Sequence, residues 1–161
     1  MRGEYVCDMP SKTWVSAIQY AIENIARFSI CSDKMQMLWI VNGGHIRRHL
    51  SNDILVLAWL KLVMPKYDGG ELQLYRGECQ FLYDQGLIGF CWTPNKHVAE
   101  KFARCQNAIE SGGVLLSAKF APDAILSSPN SHSNWLGEHE YTCDPTKIGS
   151  IDVLHRYPKT F

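Results

Sequence analysis

The chain has 161 residues, 46% of them hydrophobic and 20% charged, which suits one ordinary globular domain with a core of its own. Its 16 basic residues balance 16 acidic ones, so no broad positive field exists to hold a long duplex by counterion release, although a local patch stays open. The most apolar run, Ile54 to Leu60, continues through Met64 until Pro65 stops it; it falls well short of the roughly 20 residues of a membrane span and reads as a buried helix.

Six cysteines, at positions 7, 31, 79, 91, 105 and 143, form no C-x-x-C pair, and the opening MRGEYVCDMPSK lacks the apolar core of a signal peptide. Both features suit a reduced, cytoplasmic protein.

The first part of the chain reads as helical. After the start signal Pro10-Ser11, Trp14, Ile18, Ala21, Ile22 and Ile25 recur on one helix face. A second helix is expected around Lys34 to Val41, ending at Asn42-Gly43-Gly44, where glycine supplies a left-handed cap. The apolar run is the third, opened by the capping candidates Ser51, Asn52 and Asp53.

Beyond Asp68-Gly69-Gly70 the period changes. Leu72-Gln73-Leu74-Tyr75 alternates like a strand that Arg76 ends, Leu87 to Trp92 reads as a second, and Val114 to Phe120 as a third. Between the second and third, Thr93-Pro94 offers a cap and a first helical residue for a helix whose Val98, Ala99, Phe102 and Ala103 share one face. Ser127 to Asn134 is a long polar loop leading to Trp135. Strands at Glu138 to Cys143 and Ile148 to Leu154 then close the sheet. The expected class is α+β: a helical N-terminal part, 1–66, packed on a split, mostly antiparallel sheet, 71–154, in a single domain.

Arg76 beside Gly77 places a guanidinium suited to bidentate phosphate contact where a backbone without a side chain admits a ligand. A surface arginine in a turn is the plainer account. Glu138 and Glu140, two apart on a strand, face one way about 7 Å apart, an arrangement that suits stabilising a cation as well as a solvated strand face. Cys91 and Thr93 flank Trp92 at a strand end; either side chain can orient a nearby carboxylate, or Cys91 packs and Thr93 caps. His45 and His49, four apart with Arg47 and Arg48 between them, lack an acidic partner, so no metal site is expected. Trp135 either meets a partner or anchors its loop.

Taken in order, Tyr75-Arg76-Gly77, Cys91-Trp92-Thr93 followed by Val98-Ala99-Glu100-Lys101-Phe102-Ala103, and Glu138-His139-Glu140 resemble the arginine-serine-glutamate class of mono-ADP-ribosyltransferases of small bacterial or phage type. The resemblance covers about residues 71–154. It implies a split sheet clasping NAD as co-substrate, with no metal, in an enzyme that cleaves the nicotinamide–ribose bond and passes ADP-ribose to a macromolecule, protein arginine first. It implies Arg76 on the phosphates or ribose and the Gly77 backbone on the nicotinamide amide. Cys91, Trp92, Thr93 and Phe102 belong to the NAD site, Glu140 is the catalytic carboxylate, and Glu138 with Trp135 meets the acceptor. Cys91 stands in the first serine position and Trp92 in that of the threonine, and a thiol is the weaker hydrogen-bonding group. The alternatives are a weak or inactive member that inhibits by binding a protein, a NAD glycohydrolase, or a nucleic-acid ADP-ribosyltransferase. The expected partners are NAD and a protein target, with nucleic acid less favoured and no membrane.

Overall fold

The computed structural model describes residues 10–160; the opening stretch read for a signal-peptide core, and Cys7 in it, lies outside them. The chain divides into two compact units, one ending at Pro65 and one beginning at Lys66, close to the place where the hydrophobic period changes.

The first unit is helical: α1 (Ser11–Glu23), α2 (Ser32–Leu50) and α3 (Asp53–Val63). α1 buries Trp14 and Ile18 of its expected face. α2 does not stop at Gly43-Gly44; it continues to Leu50 and ends on Ser51 at φ 46°. Gly43 serves packing instead of capping, since a Cβ there would stand 3.1 Å from the Trp39 ring, and that indole is buried. Arg47 forks onto both Asp53 oxygens at 2.8 and 2.6 Å, closing the corner between α2 and α3. The cap of α3 is Asn52, whose Oδ1 accepts the Leu55 N–H at 3.0 Å. At the other end Met64 is extended, as the ring of a following proline demands. The His49 ring lies stacked on Trp14, 6.2 Å between centroids.

The second unit joins antiparallel sheets to short helices, so the chain is α+β. β1 (Leu72–Cys79), β3 (Gly113–Phe120) and β6 (Ile151–Tyr157) form one sheet in the order β1-β3-β6. β2 (Cys91–Trp92), β5 (Tyr141–Cys143) and β4 (Ile125–Ser127) form the other, in the order β2-β5-β4. A single bridge sews them together, with Tyr75 and Thr93 exchanging N–H···O bonds of 2.8 and 2.9 Å. The next residue of β1 is Arg76, so the arginine sits where the two sheets part.

Alternation along β1 decides what each side chain meets. Leu74, Arg76 and Glu78 share the face of Val114, Leu116 and Ala118 across the ladder. On the opposite face the helix α5 (Lys96–Arg104) lies so close that a Cβ on Gly77 would collide with Ala99 O and Ala103 N, and one on Gly113 with Ala103 O. Those two glycines are required by the helix–sheet contact. The core on the first face gathers Leu74, Trp92, Val114, Leu116, Phe120 and Cys143, with Trp92 edge-on to Phe120 at 4.9 Å.

Several boundaries differ from the sequence reading. Arg76 is inside β1, because pairing with β3 runs through Cys79. The expected strand from Leu87 shrinks to Cys91–Trp92, since the Leu87 N–H turns back to Leu82 O and the Gly89 N–H goes to the Glu78 side chain. α5 is capped by Asn95, whose Oδ1 accepts the His97 and Val98 N–H groups at 3.1 and 3.4 Å; Thr93 Oγ1 accepts the Asn95 N–H at 3.1 Å, one step earlier. The polar loop starts on Ser127, the last residue of β4 (Ile125–Ser127), and runs into a one-turn helix, α6 (Ser131–Trp135), capped by Asn130. The last strand lies three residues later than expected, at Ile151–Tyr157. Among the described residues no helix is long and apolar enough to cross a membrane.

Candidate active site

At the parting of the sheets Arg76 is held on several sides. Its Nε donates to Glu78 Oε2 at 2.7 Å and its Nη1 to the Cys91 carbonyl at 2.6 Å. Nη2 presses on Gly89, where any Cβ would collide with it. Glu78, only 2% exposed, accepts two backbone N–H groups as well: Gly89 on Oε2 at 2.9 Å and Cys79 on Oε1 at 3.0 Å. Burial alone would raise its pKa, but the Arg76 charge and these hydrogen bonds hold it below the ordinary carboxylate value. Arg76 stays charged for the reciprocal reason, Glu78 outweighing its burial.

Glu140 meets the opposite conditions. Burial pushes its carboxyl above the ordinary value; the Cys91 S–H and the Arg76 charge pull it down only in part, and Glu138 pushes it up again. Its Oε1 is buried with no hydrogen-bond partner. So is Thr142 Oγ1, directly across the ladder from Cys91. The Cys91 thiol, pushed well above its usual value by burial and then by the Glu140 charge, remains protonated. It is therefore a donor to the carboxylate, not a nucleophile.

The glutamate pair does not lie on a regular strand. β5 begins only at Tyr141, and His139 takes a left-handed φ of 48°. The cause is the buried Ser133 of α6, whose carbonyl accepts the Glu138 and His139 N–H groups at 3.0 and 3.3 Å and whose Oγ accepts that of Glu140 at 2.7 Å. Three successive donors turned onto one serine replace ladder pairing, so the same-face alternation expected for Glu138 and Glu140 is lost. Glu138 instead lines a cavity of about 450 Å³ with Val98, Lys101, Phe102 and Cys105 of the α5 side and Leu136 and Gly137. Trp135, beside it in sequence, is 80% exposed and stacks with His132.

The structure thus gathers Arg76, Cys91 and Glu140 into one electrostatic cluster and puts Glu138 and Phe102 on a neighbouring cavity. It assigns three other candidates to structure. Trp92 is a core residue, its Nε1 donating to Gly89 O at 3.1 Å. Thr93 is buried in the bridge and the turn before α5. Gly77 is covered by α5, and its carbonyl accepts the Asn107 side-chain N–H at 2.7 Å. Sequence reading missed Glu78, Gly89, Asn107 and Ser133. The available signal was the Arg76-x-Glu78 spacing, which places a carboxylate on the arginine's own face of the strand. Among the described residues no group of three or more histidine, cysteine, aspartate or glutamate side chains is placed to hold a metal ion. No protein-family model matches the chain, and neither does any curated protein or solved structure.

Proposed function

We propose that the protein is a NAD-dependent mono-ADP-ribosyltransferase that cleaves the nicotinamide–ribose bond and passes ADP-ribose to a macromolecule, protein arginine being the first candidate. The observation that carries the reading is Glu140: a desolvated carboxylate beside Arg76 and Cys91 with one buried oxygen unpartnered. Such an oxygen suits a ribose hydroxyl, and the fixed negative charge suits a sugar carbon that becomes cationic as its bond to nicotinamide breaks. Nicotinamide leaves with the bonding electron pair as a neutral molecule, so no general acid is needed. An acceptor nitrogen then bonds to the sugar carbon and gives up a proton, for which Glu138 on the adjoining cavity is the available base. Phe102 and Leu136 give that cavity apolar walls, suited to a ring or an aliphatic stem.

The measurement is nicotinamide release from NAD by the wild type against Glu140→Gln; equal rates would end this reading. Labelled NAD in lysate, followed by mass spectrometry of modified residues, identifies the acceptor, and label confined to nucleic acid would replace the protein-arginine assignment.

One observation favours a second reading, an inactive member that works by binding a protein. The resemblance assigns the Gly77 backbone to the nicotinamide amide, and the carbonyl of that backbone already accepts from Asn107. In that case neither the wild type nor Asn107→Ala releases nicotinamide, whereas an active enzyme with Asn107 as an occupant of the site gains NAD affinity in Asn107→Ala.

A further inference from the structure

Arg76 is poorly placed to receive a ligand. Nε and one N–H of Nη1 are given to Glu78 and the Cys91 carbonyl, and Nη2 lies flush against Gly89. Glu78 is held as firmly, since three donors converge on its two oxygens, two of them on Oε2. A planar guanidinium fixed at several points on its fork keeps one orientation. A phosphate brought to it would also face the Glu78 and Glu140 carboxylates, which together outnumber the single cation.

We propose that Glu78 is a positioning residue: it locks Arg76 as a fixed positive charge for Glu140, so that the arginine serves the reacting centre and not the phosphates of the dinucleotide. This rests on the function proposed above. Both residues leave β1 on one face, two positions apart, and the Gly89 N–H that Glu78 also holds brings in the loop against which Arg76 lies. The groups acting on Glu140 are Arg76 from β1, Cys91 from β2, Glu138 from the segment after α6 and Cys143 from β5. Of these only Arg76 is a cation, and its charge lowers the Glu140 carboxyl against the effect of burial. An arginine released from Glu78 would turn toward water and leave Glu140 protonated more often.

The test is a site-resolved carbon-13 NMR titration of the Glu140 carboxyl, assigned by its disappearance in Glu140→Gln, in wild type, Glu78→Gln and Glu78→Ala. If Glu78 holds Arg76 in place, Glu140 titrates at higher pH in the Glu78 variants. If Glu78 acts only through its charge, removing a negative neighbour makes Glu140 titrate lower. That sign, or no shift in whichever variant keeps the wild-type near-ultraviolet circular dichroism, overturns the proposal.

Turnover supplies a second arm. Glu78→Gln is expected to lower kcat for nicotinamide release about tenfold or more, from NAD and from nicotinamide riboside alike, with KM moved by less than about twofold. A loss confined to KM for NAD and absent with the riboside would make Arg76 a phosphate clamp and overturn the proposal. A wild type that releases no nicotinamide from NAD removes the proposed function, while the titration still decides what Glu78 does.

Discussion

Glu78 is a buried carboxylate and Glu140 a part-buried one, both under the influence of Arg76, yet their surroundings drive them apart. Around Glu78 every oxygen is matched by a donor and the carboxyl is held low. Around Glu140 one oxygen is orphaned and the carboxyl is pushed up by burial. The floor of the site is thus finished as structure, whereas the rim is left unfinished. A pair of titratable groups separated in this way is what a division between scaffold and chemistry requires.

The largest way to break the comparison is to remove the floor. Glu78→Ala leaves the part-buried Arg76 without its counter-ion and should cost about 1–3 kcal/mol of stability at neutral pH, measured by urea unfolding. Because the folded pKa of Glu78 lies below its ordinary 4.5, its contribution is complete above that pH and is lost as pH falls through the folded value. Wild type and variant should therefore converge in acid; a gap that persists there would show that Glu78 acts by packing alone.

Glu140→Gln attacks the rim and should do the reverse. Nicotinamide release should fall about 10²–10³-fold while the melting temperature rises, since a carboxylate charge only partly compensated for its burial is removed. A fall in melting temperature would mean that the rim is as finished as the floor.

Gly89→Ala is no larger. A methyl group at the position Arg76 Nη2 occupies should displace the guanidinium at about 1–3 kcal/mol in stability, with activity lost in parallel. Wild-type stability in this variant would mean that Arg76 moves aside freely.

The least effect, and the sharpest, comes from Cys91. Its S–H lowers the Glu140 carboxyl, so Cys91→Ala should move the acid limb of the activity to higher pH, and Cys91→Ser, with a stronger donor, to lower pH. Shifts of one sign in both variants would exclude hydrogen bonding as the link.

Much of this was legible in the chain because the signals were local. The apolar run before Pro65, the alternation in Val114 to Phe120 and the change of period after Gly70 each need only neighbouring residues to act, and α3, β3 and the second unit lie where those patterns point. The glycine pair at 43–44 misled, because whether glycine caps a helix or makes room within it depends on Trp39 lying flat against that turn. The pair Glu138 and Glu140 misled because Ser133, a nearby residue of unremarkable type in a one-turn helix, takes the three N–H groups that a strand would have used.

Sequence alone determined the period of each segment, and with it the α+β class, the α3 stop and the presence of Arg76 on a strand and of Glu140 beside one. Only the tertiary structure decided which carboxylate is satisfied and which is not. That outcome depends on desolvation and on donors that other segments deliver, Gly89 to Glu78 and Cys91 to Glu140. Periodicity in a single segment carries no record of either.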